Sequence, residues 1–74
     1  EAVMEEVRIK DAYIKLGQAL KLAGLVSSGV DAKFVIQNGQ VKVNGQVETQ
    51  RGKKLLENDE VCFEGNTFVI RARG

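Results

Sequence analysis

The fold of this chain is decided by one stretch, Ser28-Gly-Val-Asp-Ala-Lys-Phe-Val-Ile-Gln-Asn-Gly39-Gln-Val-Lys-Val-Asn-Gly45. Ser28 can cap a helix, and an acid stands three residues later, as in a capping box. Apolar residues at helical spacing follow, and Asn38-Gly39 is a typical helix end. Val41 and Val43 alternate with polar residues, and Asn44-Gly45 is a strong hairpin signal. The stretch therefore predicts a helix packed against a hairpin.

Further elements are predicted on both sides of this stretch. Upstream, apolar residues at three- and four-residue spacing predict a helix over 15–23 that ends at Gly24. Alternation predicts short strands over 2–9 (an edge strand), 47–49, 61–64 and 67–71, the last two joined by Gly65-Asn66 as a two-residue turn. We therefore expect an α+β fold, with two short helices packed on a small, mostly antiparallel sheet. A single domain over residues 1–74 is expected.

Composition argues against catalysis. The chain of 74 residues has no histidine, which removes the commonest general base and nitrogen metal ligand. Its one cysteine, Cys62, is flanked by Glu60 and Glu64 and is predicted to be a small strand residue, without redox or nucleophilic function. We therefore expect a non-enzyme without metal or cofactor. A free cysteine without disulfides favours the cytoplasm, and no apolar run approaches the ~20 residues of a membrane span.

Charge gives the first indication of function. The formal net charge is only +1, but residues 15–54 contain seven basic side chains against two acidic ones, a local charge of +5. The remaining residues carry a local charge of −4. A basic patch on one face is typical of a protein that binds a polyanion, although lysines also simply solvate helical domains.

The candidate binding residues lie around the predicted helix–hairpin corner. A helix start near Gly29 offers free N–H groups to a phosphate oxygen, and the other candidates are basic: Lys15, Lys21, Lys33, Lys42, Arg51, Lys53 and Lys54. Core packing is predicted for Leu55-Leu56 and for the three phenylalanines, Phe34, Phe63 and Phe68. Tyr13 lies outside the positive segment, so no aromatic residue is predicted to stack on bases. We therefore expect a surface that recognises phosphates and the shape of structured RNA.

The same residues resemble the S4 domain, a small RNA-binding module. That family typically reads Arg-Leu-Asp, Leu, Ser-Arg-x-x-Ala-Arg and Gly-x-Val-x-Val-Asn-Gly. Here the matching positions are Lys15-Leu16-Gly17, Leu20, residues 28–33 and residues 39–45. The match covers about 15–64, and the sequence looks like the short stand-alone bacterial S4 proteins. The resemblance implies an S4-like fold with its αL motif and binding of ribosomal or transfer RNA, with the ribosome as a further partner.

Three departures from the family pattern concern residues that are expected to bind RNA or to support the residues that bind it. Lysine replaces arginine at 15 and 33, which keeps the charge but loses bidentate geometry. Gly29 stands where the family often has arginine, and Gly17 stands where aspartate is usual. A phosphate ligand and an anchoring hydrogen bond are therefore missing from this chain.

Three other functions remain open at this point. The chain could be a protein-interaction adaptor that kept the fold and lost the ligand, as Gly29 suggests. It could be the targeting part of an RNA-modifying enzyme whose catalytic domain lies elsewhere. It could also be a small sulfur-carrier-like β-grasp protein, because the sequence ends in Arg73-Gly74, although such carriers need a flexible diglycine tail that Ala72-Arg73-Gly74 lacks. The favoured hypothesis is a monomeric, non-catalytic RNA-binding protein with no membrane partner.

Overall fold

The computed structural model describes residues 5–72 and has the expected α+β architecture. Two helices, α1 (Leu16–Leu22) and α2 (Gly29–Gln37), cover one face of a sheet. The strands are β1 (Glu5–Ile9), β2 (Ile14–Lys15), β3 (Val41–Val43), β4 (Gln46–Val47), β5 (Lys54–Leu55), β6 (Glu60–Phe63) and β7 (Asn66–Ala72). Five of them form one sheet in the order β1-β7-β6-β3-β4, and β2 pairs with β5 separately.

The main sheet is mostly antiparallel, as expected. Only β1 runs parallel to its neighbour β7, and it occupies the edge of the sheet, which confirms the predicted edge strand within the described residues. Residues 2–4 of that prediction lie outside the described residues. β3 and β4 are joined by Asn44-Gly45, and both residues have positive φ (53° and 85°). This is the turn geometry that the Asn-Gly pair predicts.

The ends of both helices follow the local signals in the sequence. Gly24 and Gly39 have positive φ after α1 and α2. The next residue in each case donates its N–H back to a carbonyl of the last helical turn, from Leu25 to Leu20 and from Gln40 to Val35. This hydrogen bonding satisfies carbonyl groups that would otherwise be left unpaired at a helix end.

The core lies between the helices and the inner face of the sheet. It combines the apolar faces of both helices with alternate residues of the strands, and it consists of Val7, Ile9, Leu16, Ala19, Leu20, Ala32, Ile36, Val41, Val43, Leu55, Val61, Phe63, Phe68 and Ile70. Cys62 is half-buried on the opposite face of β6, in agreement with its prediction as a strand residue. The alternation of β3 places Lys42 on that same outer face.

Three local predictions are wrong. The turn between β6 and β7 is Glu64-Gly65, one residue earlier than expected, because Phe63 pairs with Asn66. Leu56 is exposed, whereas Leu55 alone enters the core. Phe34 is 65% exposed, because it lies on the side of α2 that faces away from Ala32 and Ile36.

The two helices are short. Neither helix within residues 5–72 is long and apolar enough to cross a membrane.

Candidate nucleic-acid interface

A basic loop is fixed against the start of α1 by its own backbone. The Leu16 N–H donates to the Lys53 carbonyl oxygen (2.8 Å), and the Gly17 N–H donates to the Arg51 carbonyl oxygen (3.1 Å). The first N–H groups of a helix have no partner within the helix, so these two bonds satisfy groups that would otherwise need water. The pairing of Lys15 with Lys54 between β2 and β5 holds the other end of the loop. The basic side chains of residues 51–54 are therefore carried by a docked segment.

This docking creates an open cleft between the loop, α1 and the start of α2. The cleft has a volume of about 290 Å³ and is lined by Lys15, Gly17, Gln18, Lys21, Gly29, Arg51 and Gly52, and we call it the basic cleft. Three of these residues are cationic, and none is acidic. Within residues 5–72 the ion pairs involve Arg8 and Arg71, so the cations of the cleft form none. Their charge is therefore available to an anionic ligand.

Gly17 allows Arg51 to lie across the first turn of α1. A Cβ atom added to Gly17 would approach Arg51 Cγ to 2.7 Å and Cδ to 3.2 Å. Carbon atoms normally pack at ~3.5–4.0 Å, so any side chain at position 17 would displace the arginine. The sequence departs from the family at this position, and the structure gives a physical consequence: Arg51 occupies the space beside a glycine.

The start of α2 forms another wall of the basic cleft. Ser28 caps the helix as predicted, because its Oγ accepts the Asp31 N–H at 3.2 Å. The reciprocal half of a capping box is absent among the hydrogen bonds of the described residues, where the Asp31 carboxylate instead accepts from Ser27 Oγ at 2.9 Å. The N–H groups of Gly29 and Val30 have no acceptor within residues 5–72. These two donors remain accessible beside the cleft.

The structure brings most, but not all, of the sequence-predicted residues together. Lys15, Lys21, Gly29 and Arg51 line the basic cleft itself. Lys33 follows Gly29 by one helical turn and extends the same side of α2, and Lys54 is paired with Lys15. Lys53 belongs to the docked loop, where its carbonyl group holds α1.

Lys42 does not join this group. Val41 and Val43 face the core under the helices, so Lys42 projects from the opposite face of the sheet. The expectation that it flanks the same corner as Lys33 and the basic loop therefore fails on geometry.

Two aromatic side chains are exposed, and for Phe34 this differs from its predicted place in the core. Tyr13 is 41% exposed, and Lys54 Nζ lies 4.8 Å from the centre of its ring. The tyrosine thus adjoins the basic surface although it precedes the positive segment in the chain. Phe34 is exposed as well, but it lies on the other flank of α2. The pairing of Ile14 with Leu55 places Tyr13 near Lys54, and no local signal in the sequence predicts that pairing.

The fold and the sequence together assign this chain to a known family of protein domains. A family model described as the S4 domain matches residues 7–71, which extends the resemblance from the helix–hairpin region into β1 and β7. This chain belongs to the S4 domain family.

Proteins with known sequences or structures resemble the chain over most of its length. YbcJ of Escherichia coli (strain K12), named as a candidate RNA-binding protein, is 40% identical over 63 residues, which cover 85% of this chain and 90% of YbcJ. RlbA of Bacillus subtilis (strain 168), named as a probable ribosome maturation protein, is 41% identical over 59 residues, or 80% of this chain and 83% of RlbA. The solution structure of E. coli YbcJ superposes with a TM-score of 0.73 at 36% identity, covering 96% of this chain and 91% of that one. That structure is described as revealing an αL motif involved in RNA binding.

Proposed function

We propose that this chain is a non-catalytic RNA-binding protein that holds structured RNA in the basic cleft. The observation that carries the proposal is the convergence of Lys15, Lys21 and Arg51 on one cleft without an acidic residue or an ion pair. Unpaired cations at fixed positions bind phosphates and release the counterions of the nucleic acid. The names of the S4 relatives support RNA as the polyanion.

Several other groups extend this proposed RNA surface beyond the cleft. Lys33 and the N–H groups at the start of α2 continue it on one side, and Lys53 and Lys54 continue it on the other. The basic groups come from several elements, so the surface suits the fixed phosphate spacing of a folded RNA. Ribosomal RNA is our preferred target, because one relative is named for ribosome maturation, and transfer RNA is the second.

Binding to three nucleic acids at two salt concentrations tests this proposal. The probes are a short hairpin of ribosomal RNA, a permuted sequence that forms no hairpin, and the matching DNA duplex. We expect the highest affinity for the RNA hairpin, because A-form geometry and 2′-hydroxyl groups distinguish it from the other two. Equal affinity for all three would reduce the cleft to a generic polyanion site, and no affinity for any would reject RNA binding.

A matched pair of variants locates the binding surface. Lys21→Gln removes one charge from the basic cleft, whereas Lys42→Gln removes the same charge from the outer face of the sheet. The first change should lower the slope of log K against log salt by roughly 0.7–0.9, and the second should leave it unchanged. Equal effects of the two substitutions would show that the cleft is not the binding site.

A further inference from the structure

A second surface lies on the flank of α2 that faces away from the basic cleft. Successive helical residues are rotated by about 100°, so Asp31 and Val35 lie opposite Gly29 and Lys33, and Phe34 lies between these two sides, away from the core. There an open groove of about 430 Å³ is lined by Gly24, Leu25, Val26, Ser27, Asp31, Phe34, Val35, Phe63 and Glu64, and we call it the acidic groove. Five of its nine lining residues have apolar side chains, and one of them, Phe34, is largely exposed.

A smaller cavity of about 130 Å³ lies next to the acidic groove. The two share Leu25, and the Glu64-Gly65 turn contributes one residue to each. The charged side chains that line them are Asp31, Glu64 and Glu5, all of them acidic. No lysine or arginine lines either depression within residues 5–72. The surface thus combines apolar with acidic side chains, whereas the basic cleft has the opposite charge.

We propose that the acidic groove binds a segment of a partner protein that carries an apolar or aromatic anchor flanked by lysine or arginine. The exposed ring of Phe34 and the half-buried Leu25, Val26 and Val35 offer the anchor an apolar contact. Binding energy in an interface is concentrated in a few side chains that the partner fully covers, and a segment seated in the groove would cover the Phe34 ring. The three carboxylates complement basic residues beside the anchor, and this complementarity selects the partner.

The charge of the groove also decides between protein and RNA as its occupant. A phosphate backbone would lie beside the three carboxylates and would be repelled by them. A basic segment is attracted to the same carboxylates, and basic arms are frequent in proteins that bind nucleic acid. The acidic groove is therefore a protein-binding surface, separate from the proposed RNA surface on the other flank of α2.

Selection from a display library of random twelve-residue peptides on the full chain tests this inference. We expect the enriched peptides to combine lysine or arginine with leucine or an aromatic residue. Their affinity, measured by fluorescence anisotropy, should fall at least tenfold in Phe34→Ser and in Glu64→Lys. Val30→Ser is the matched control, because Val30 is an exposed apolar residue of the same helix that does not line the groove, and it should leave the affinity within twofold.

Four results would overturn the inference. The first is a selection that enriches no peptides combining basic with apolar residues, and the second is full peptide affinity in Phe34→Ser. The third is displacement of the peptide from Arg51→Gln by an RNA hairpin. The fourth is self-association of the chain that Phe34→Ser abolishes. The last would make a second copy the occupant. Arg51→Gln also separates the two surfaces: it should weaken RNA binding and leave peptide binding unchanged, so the failure of one proposal is distinguishable from the failure of the other.

Discussion

Replacement of Gly17 by alanine tests whether the position of Arg51 matters for RNA binding. The new Cβ would lie 2.7 Å from Arg51 Cγ, about 1 Å closer than carbon atoms normally pack. The Arg51 backbone is held by its bond from the Gly17 N–H, so the side chain must leave by rotating away. The guanidinium group would then point out of the basic cleft. We expect the protein to stay folded and to lose one phosphate contact.

The expected changes in the free energy of unfolding and in RNA affinity follow from two opposed effects on stability and one effect on binding. Alanine favours a helix over glycine by ~1 kcal/mol, and the overlap with an exposed, rotatable arginine costs a similar amount, so the free energy of unfolding should change by less than about 1 kcal/mol. A charged hydrogen bond contributes about 1.5 kcal/mol or more, which corresponds to roughly tenfold in Kd. The slope of log K against log salt should also fall by roughly 0.7–0.9.

A double-mutant cycle with Arg51→Ala provides the assay. Arg51→Ala removes the two atoms that the new Cβ would overlap and leaves only the ordinary contact with Ala32 Cβ at 3.8 Å. Gly17→Ala should therefore cause no further loss of RNA affinity in that background and should stabilise the fold there. Gly52→Ala is the steric control, since its Cβ would meet no atom within 4 Å. Additive effects of Gly17→Ala and Arg51→Ala on RNA affinity, or wild-type binding by Gly17→Ala, would refute the reasoning.

Three further changes test the surface and the scaffold. Lys33→Glu combined with Lys54→Glu should abolish RNA binding and leave the circular dichroism spectrum intact, because both side chains are exposed; unchanged binding by the folded variant would place the site elsewhere. Val43→Asp should unfold the domain, since Val43 is only 7% exposed and an unpaired buried carboxylate costs several kcal/mol, roughly the whole stability of a small domain; a wild-type thermal transition would contradict the register of β3. Asn44→Ala should lower the free energy of unfolding in urea by about 1–2 kcal/mol, because the side chain donates to Asp59 Oδ1 and accepts the Glu60 N–H. Asn44→Gly also removes the side chain but readily adopts the positive φ, so it should lower the free energy of unfolding by less than Asn44→Ala. Equal decreases in the two variants would rule out a contribution from backbone strain.

Local signals predicted the ends and turns of the central unit because a few adjacent residues determine them. The Ser28 cap, the helix end at Gly39 and the Asn44-Gly45 turn each depend on one side chain or one positive φ. The docking of the basic loop could not be predicted in this way. It rests on backbone bonds from Leu16 and Gly17 to residues far along the chain, and backbone groups are identical in every sequence.

The errors at Phe34 and Lys42 have a common cause. Both residues were assigned by type, one as apolar and therefore buried, the other as basic and therefore part of the basic corner. Periodicity gives the opposite result in each case. The helical rotation that turns Ala32 inward turns Phe34 outward, and the alternation that buries Val43 places Lys42 on the outer face of the sheet. Position within an element is therefore the better guide to what a side chain can contact.

The orientation of α2 explains how the uneven charge along the sequence gives two surfaces of opposite charge. The buried side of this helix, with Ala32 and Ile36, fixes its rotation against the core. That rotation places Gly29 at the basic cleft, with Lys33 one turn further along the same side, and places Asp31 and Phe34 at the acidic groove. Because each flank collects charges of one sign, a polyanion and a basic segment can bind opposite sides of the same helix without competing. Under our two proposals, a domain of this size therefore has separate surfaces for an RNA and for a protein partner.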